Sequence, residues 1–187
     1  MKDNLMRYAI TAAAAALLVT AAQAQAQDME AFKRGPVFAN FGAHAPVAGM
    51  GELPSDVAFR HSFDVAEAAS DGKANSHIES AARFINMHAA AGVDPENIQV
   101  AVVVHGGASL DLLRDAAWKA KGKSGVNGSH ALVRTLLDEG VRVILCGQSA
   151  AAHGITHDEL IPGVEMALSA MTAHALLQQA DYSVNPF

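Results

Sequence analysis

The chain has 187 residues, 51% of them hydrophobic, and a formal net charge of −6 at pH 7. That is enough length and apolar mass for one ordinary domain with a buried core, and an acidic chain without a basic stripe argues against nucleic acid or an anionic membrane as partner. Its one cysteine, Cys146, excludes an intramolecular disulfide; a lone thiol in an oxidising compartment has to be buried or used.

Lys2 and Arg7 flank the start of an apolar run from Tyr8 to Ala22, which ends in the small-x-small sites Ala22-Gln23-Ala24 and Ala24-Gln25-Ala26. Charge, apolar core and cleavage site in that order predict a secretory signal peptide over 1–26, cut at Ala24 or Ala26. The run is shorter than the ~20 residues that span a bilayer, so the expectation is a periplasmic protein with no membrane segment after cleavage. Neither site carries a cysteine, which argues against a lipid anchor. From 27 to 54, glycines and prolines break every period and predict an extended N-terminal arm, with Val37, Phe38 and Phe41 lying against the domain or a neighbouring subunit.

An α/β domain is expected over 55–187. Phe59 to Val65 alternates as a first strand. Ser76-His77-Ile78-Glu79 reads as a capping box opening a helix that Gly92 stops. Ile98 to Val104 is continuously apolar except at Gln99, the pattern of a strand buried on both faces. Ser109 and Ser129 read as caps of two helices, to about Ala120 and to Gly140. Val141 to Leu145 is a second buried strand running into Cys146-Gly147, with a short helical turn from Ser149 to His153. Thr156-His157-Asp158-Glu159 is another capping box, Val164 to Leu168 a short strand, and Ser169 the cap of a last helix to about Gln179. Alternating strands and helices predict a parallel sheet of about five strands with helices on both faces.

Gly122-Lys123-Ser124 lacks the partner glycine of a phosphate loop, having Ala117 there, and follows a helix instead of a strand. His105-Gly106-Gly107 lacks the spaced glycines of a dinucleotide fingerprint, and Asn127-Gly128-Ser129 reads as a turn and cap more readily than as a glycosylation site. His153 and His157 share helical spacing, but Gly154 and Thr156 break the helix between them, so no native metal site is expected. Trp118, Met166 and Met171 read as core or subunit interface. His105 and Cys146 stand apart from these, each being the first polar position after a buried strand that feeds a helix. The carboxyl ends of parallel strands share one edge, so the two are expected to be neighbours there. A helix start beside Cys146 favours thiolate and makes the sulfur reactive, whereas a buried cysteine serving as a small hydrophobe is the alternative.

Gly35-Pro36-Val37-Phe38, Gly72-Lys73-Ala74-Asn75, Val100 to Gly106, Val143 to Gln148 and the tail from Pro162-Gly163-Val164 to Gln178-Gln179 together resemble the DsrE/DsrF-like family, in its exported single-domain branch linked to sulfur oxidation. The resemblance spans essentially all of the chain after 35. It implies a compact α/β domain assembling as a homotrimer or homohexamer, with Cys146 matching the cysteine that carries a persulfide in sulfur-relay relatives and hands it to a partner protein's thiol. Those relatives are cytoplasmic and hetero-oligomeric, unlike an exported protein. His105 as helper of Cys146 is an inference from strand-end position. Gly106, Gly147, Gln148 and Asn75, from the matching segments, are the candidate ligand-binding residues, and no cofactor is implied. Three functions follow: a sulfur carrier or sulfurtransferase, a non-catalytic periplasmic module binding a small ligand or soft metal, and a structural oligomer.

Overall fold

The structure is a computed structural model and describes residues 29–54, 56–70 and 72–185. The chain divides into the units Met1–Glu30 and Ala31–Phe187, and the second holds every element below. The signal peptide expected over 1–26 lies outside the described residues. Among those residues, no helix is long and apolar enough to cross a membrane.

Five strands, β1 (Phe59–Val65), β2 (Ile98–Val104), β3 (Arg142–Cys146), β4 (Glu165–Ala167) and β5 (Ser183–Asn185), form one sheet in the order β4-β3-β2-β1-β5. Every pairing is parallel. The helices are α1 (Ser76–Ala90), α2 (Asp115–Ala120), α3 (His130–Asp138), α4 (Gly147–His153) and α5 (Ala170–Gln179). From β1 to β4 the chain steps across the sheet in one direction, and right-handed crossovers then put the intervening helices on one face. The return from β4 to β5 runs the other way and lays α5 on the opposite face.

The two periods of the sheet residues follow from this. Phe63, Val65, Val100, Val102, Val104, Val143 and Leu145 pack with Ile78, Ala82 and Ile85 of α1, Leu132, Val133 and Leu136 of α3, and Phe38 of the arm. Ala101, Val103 and Ile144 point the other way, onto Ala173 and Leu177 of α5. The arm is tied to α1 by a buried Asn86, whose Oδ1 accepts from the amides of Val37 and Phe38 while Nδ2 donates to the carbonyls of Phe38, Phe41 and Gly42. Gly42 lies so close to the backbone of Ala82 that no side chain would fit there.

Several local expectations are corrected. The cap of α1 is Asn75, not Ser76: its Oδ1 accepts from the amides of His77 and Ile78, and Glu79 instead receives the Gly42 amide. No helix is capped by Ser109; Gly106 (φ +54°) starts a 3-10 segment, Gly106–Leu112, that ends before α2 begins at Asp115. Ser129 does precede α3, but its hydroxyl accepts from the Asn75 amide instead of capping. Ser169 caps α5 by accepting from Thr172. β3 is shifted one residue, so that Cys146 ends it and α4 starts at once. Of the residues expected in core or subunit interface, Trp118 is buried in the core, and Met166 and Met171 are exposed and so not core.

Candidate functional site

Neighbouring strands whose onward connections leave to opposite faces open a crevice between their carboxyl ends. Here β3 leads into α4, which packs Ala150 into the larger core, and β4 leads into α5 on the other face. The switch point is therefore between β3 and β4, and Cys146, paired in register with Ala167, stands on it.

Cys146 is both the last residue of β3 and the N-cap of α4, and is 5% exposed. Gly147 makes this junction possible, since a Cβ there would lie 2.6 Å from the Ala167 carbonyl oxygen. Gln148 donates through Nε2 to the Leu168 carbonyl, 3.2 Å away, and fastens α4 to the turn after β4. Gly106 comes across from the end of β2: its amide donates to Ser149 Oγ at 3.0 Å and its carbonyl accepts from His153 Nε2 at 3.0 Å. The Ser149 hydroxyl accepts from Gly106 and keeps its proton to donate toward the sulfur. Burial opposes ionisation of Cys146, but the Ser149 amide and hydroxyl and the amides of Ala170 and Gln148 outweigh it and bring the thiol below its ordinary value. As a thiol the sulfur makes no cap hydrogen bond; these donors favour the anion.

His105 follows β2 just as Cys146 ends β3, one step beyond the registered pair Val104 and Leu145. Both lie two residues after a side chain of the α5 face, Val103 and Ile144, so alternation points both to that face. The ring of His105 turns to the other neighbouring strand, where Nε2 meets Asp64 Oδ2 at 3.1 Å. The second oxygen of Asp64 meets His174 Nε2 of α5 at 2.7 Å. Burial pushes the Asp64 carboxyl up, yet the bonds from His174 and His105 hold it below its ordinary value. One turn of α5, about 6 Å, separates Ala170, whose amide faces Cys146, from His174.

The structure thus brings Cys146, Gly147, Gln148 and Gly106 together, while His105, the chain neighbour of Gly106, turns its ring to Asp64 on the β1 side. Asn75 is placed differently: it is 1% exposed, and Nδ2 donates to the Glu67 carbonyl and to Asp111 Oδ2 while Oδ1 caps α1. Nothing of it is left for a ligand. Asp64, Ser149 and His174 were not singled out by sequence. Asp64 reads as an ordinary polar position of the alternating strand Phe59–Val65, and His174, 110 positions further on, gave no signal either. Among the described residues, no three His, Cys, Asp or Glu side chains converge as a metal ion requires.

A family model described as the DsrE/DsrF-like family matches residues 61–186. No curated protein matches the sequence. Among solved structures, the Methanobacterium thermoautotrophicum protein MTH1491, itself described as of unknown function, is similar at 18% identity and a TM-score of 0.50, covering 69% of this chain and 99% of its own. The Escherichia coli YchN protein is similar at 22% identity and a TM-score of 0.48, covering 69% of this chain and 100% of its own. The first of these likenesses supports the α/β fold.

Proposed function

Because this chain belongs to the DsrE/DsrF-like family, we propose that it is a sulfur carrier, holding a sulfane sulfur as a persulfide on Cys146 and passing it to the thiol of a partner protein. The observation that carries this reading is the set of donors around one sulfur at the switch point: three amides and the Ser149 hydroxyl all favour thiolate, the form that attacks a sulfane sulfur. With no second cysteine in the chain, the acceptor is another molecule. Near-complete burial of Cys146 suits a persulfide, which oxidants destroy when it is exposed. The signal-peptide reading adds the periplasm as the place of action. A homo-oligomer is part of the proposal, because Leu168, Met171 and Leu176 are exposed around β4 and α5. Light scattering that returned the monomer mass would remove that part.

Intact mass after incubation with polysulfide tests the carrier reading directly. One added sulfur weighs about 32 Da, and a persulfide is expected on the wild-type chain and not on Cys146→Ala. An unmodified wild-type protein, or an adduct that survives the substitution, overturns it.

A further inference from the structure

Sulfur transfer to a thiol needs a group that takes the thiol's proton, and a base serves only if its tautomer and orientation are fixed. Asp64 pairs with Val103 of β2 and stands one residue past the β5 pairing at Phe63. Its side chain is 32% exposed, and what sets it apart from the other polar residues of β1 is its partners. Those are two histidines from two different elements, each on its own oxygen. The bond to His174 ties α5 to the sheet. The bond to His105 has no such use, since β1 and β2 are already laddered together up to His105, whose amide donates to the Val65 carbonyl at 2.9 Å. What that bond does fix is the ring.

The two rings are not equivalent. Nδ1 of His174 is buried without a partner, closed off from any incoming molecule. Nδ1 of His105 makes no hydrogen bond with the described residues and is not buried. We propose that Asp64 is the positioning residue of this edge: by accepting from His105 and His174 together it holds both as Nε2–H tautomers, and so presents Nδ1 of His105 as the base that exchanges a proton with the thiol partner of Cys146. This rests on the sulfur-carrier reading above. In the forward step an acceptor thiol gives its proton to Nδ1, and its thiolate attacks the outer sulfur of the Cys146 persulfide. The bond between the two sulfurs breaks, the acceptor leaves as a persulfide, and Cys146 departs as thiolate beside a protonated His105. Loading from a donor persulfide is the same step in reverse, with His105 returning the proton to the donor's thiolate; no external oxidant or reductant enters. Around Asp64 the titratable groups are His105 from the end of β2 and His174 from α5, and Cys146 stands two strands across the sheet at the end of β3.

The experiment is single-turnover transfer from persulfide-loaded protein to a small thiol, followed across pH. In the wild type the rate is expected to rise with pH as the base loses its proton; in Asp64→Asn it falls about 100-fold at neutral pH and loses that rise, and Asp64→Glu restores part of it. Alkylation of the unloaded Cys146 across pH is read on the same variants and should move far less than transfer, because of the donors to the sulfur only the Ala170 amide depends on how α5 is seated. Transfer by Asp64→Asn at the wild-type rate overturns the inference, as does an alkylation profile that shifts in step with transfer, which would mean that Asp64 only seats α5. Nitrogen NMR of the rings reads the tautomers without any sulfur chemistry, and a His105 protonated at Nδ1 alone overturns the inference whatever Cys146 carries. A wild-type protein that accepts no sulfur while both rings stay Nε2–H sinks the carrier reading, and the proton transfer with it, but not the positioning by Asp64.

Discussion

One face of the sheet is covered by α1 and α3 and closes over most of the buried apolar side chains; the other carries α5 and a cluster of Ala101, Val103, Ile144, Ala173 and Leu177. The polar side chains of β1, β2 and β3, His61 apart, divide the opposite way. Ser62, Asp64, His105 and Cys146 follow the alternation of the lightly covered face, and His174 descends on it from α5. A thick core tolerates no unpaired polar group without losing stability, whereas a single covering helix can bring its own polar partners and leave an opening. Stability and chemistry are therefore carried on different sides of the same five strands, and substitutions should separate them.

Leu136→Ala and Leu177→Ala give the largest expected effect. Both side chains are buried to within 2%, and removing either leaves a cavity. Leu136 lies in the large core and should cost about 3 kcal/mol, within the 2–5 range of such truncations; Leu177 on the thin face should cost nearer 2. The sharper difference is at the sulfur. α5 brings the Ala170 amide to Cys146, so loosening it in Leu177→Ala is expected to raise the thiol pKa and slow alkylation at neutral pH, while Leu136→Ala leaves the alkylation profile unchanged after correction for unfolded protein. Equal alkylation in the two variants would break the division between the faces.

Much of the thick face was legible in sequence. Ile98 to Val104 and the run into Cys146 announce themselves because a strand covered on both sides has no polar alternation to hide. The thin side was less so. β5 is a Ser-Val-Asn edge strand with no pattern of its own, placed by α5 carrying the chain across the sheet. Asp64 and His174 meet only because the connection after β4 reverses direction, and nothing local to either records that reversal. Asn75 was legible as belonging to a motif but not as to its use. Its buried bonds with Asp111, Glu67 and the start of α1 explain its presence by structure. The capping serines Ser76 and Ser109 misled for a common reason: a neighbour with a stronger claim, Asn75 in one case and Gly106 at positive φ in the other, set where the helical segment begins.

A middle-sized effect is expected from Gly147→Ala. The new methyl would meet the Ala167 carbonyl, and separating α4 from β4 should cost about 1–3 kcal/mol, as overpacking does. Gly140→Ala is the matched control: its φ of +80° strains an added side chain, but nothing lies within 4 Å. Both variants should lose stability, and only Gly147→Ala should raise the thiol pKa, since it shifts the Gln148 and Ser149 amides from the sulfur. Thiolate absorbance followed across pH distinguishes them. An unchanged thiol in Gly147→Ala would mean that the α4 start does not set its reactivity.

The smallest effect is a difference in acid sensitivity between the faces. On the thick face His61 stacks on Phe84 with ring centroids 4.8 Å apart, Nδ1 meets Ser183 Oγ at 2.7 Å, and Nε2 is buried without a partner. Burial first, and the nearby His88 second, hold its pKa below the ordinary 6.5. The unfolded chain therefore binds a proton there more readily than the folded one, and stability should fall as pH drops below about 6.5, until folded His61 itself titrates. Asp64 on the thin face works in a lower window. Its pKa is held below the ordinary 3.8 despite burial, by His174 and His105, so the stability it adds is present above that value and is lost only as pH falls from it toward the lowered folded value. Urea midpoints measured from pH 7 into acid should show two successive losses. His61→Phe, which keeps a ring against Phe84, should flatten the upper one and leave the lower; Asp64→Asn should do the reverse. A curve for His61→Phe that follows the wild type throughout would show that His61 is not held neutral in the fold, and the two faces would then not differ in their response to acid.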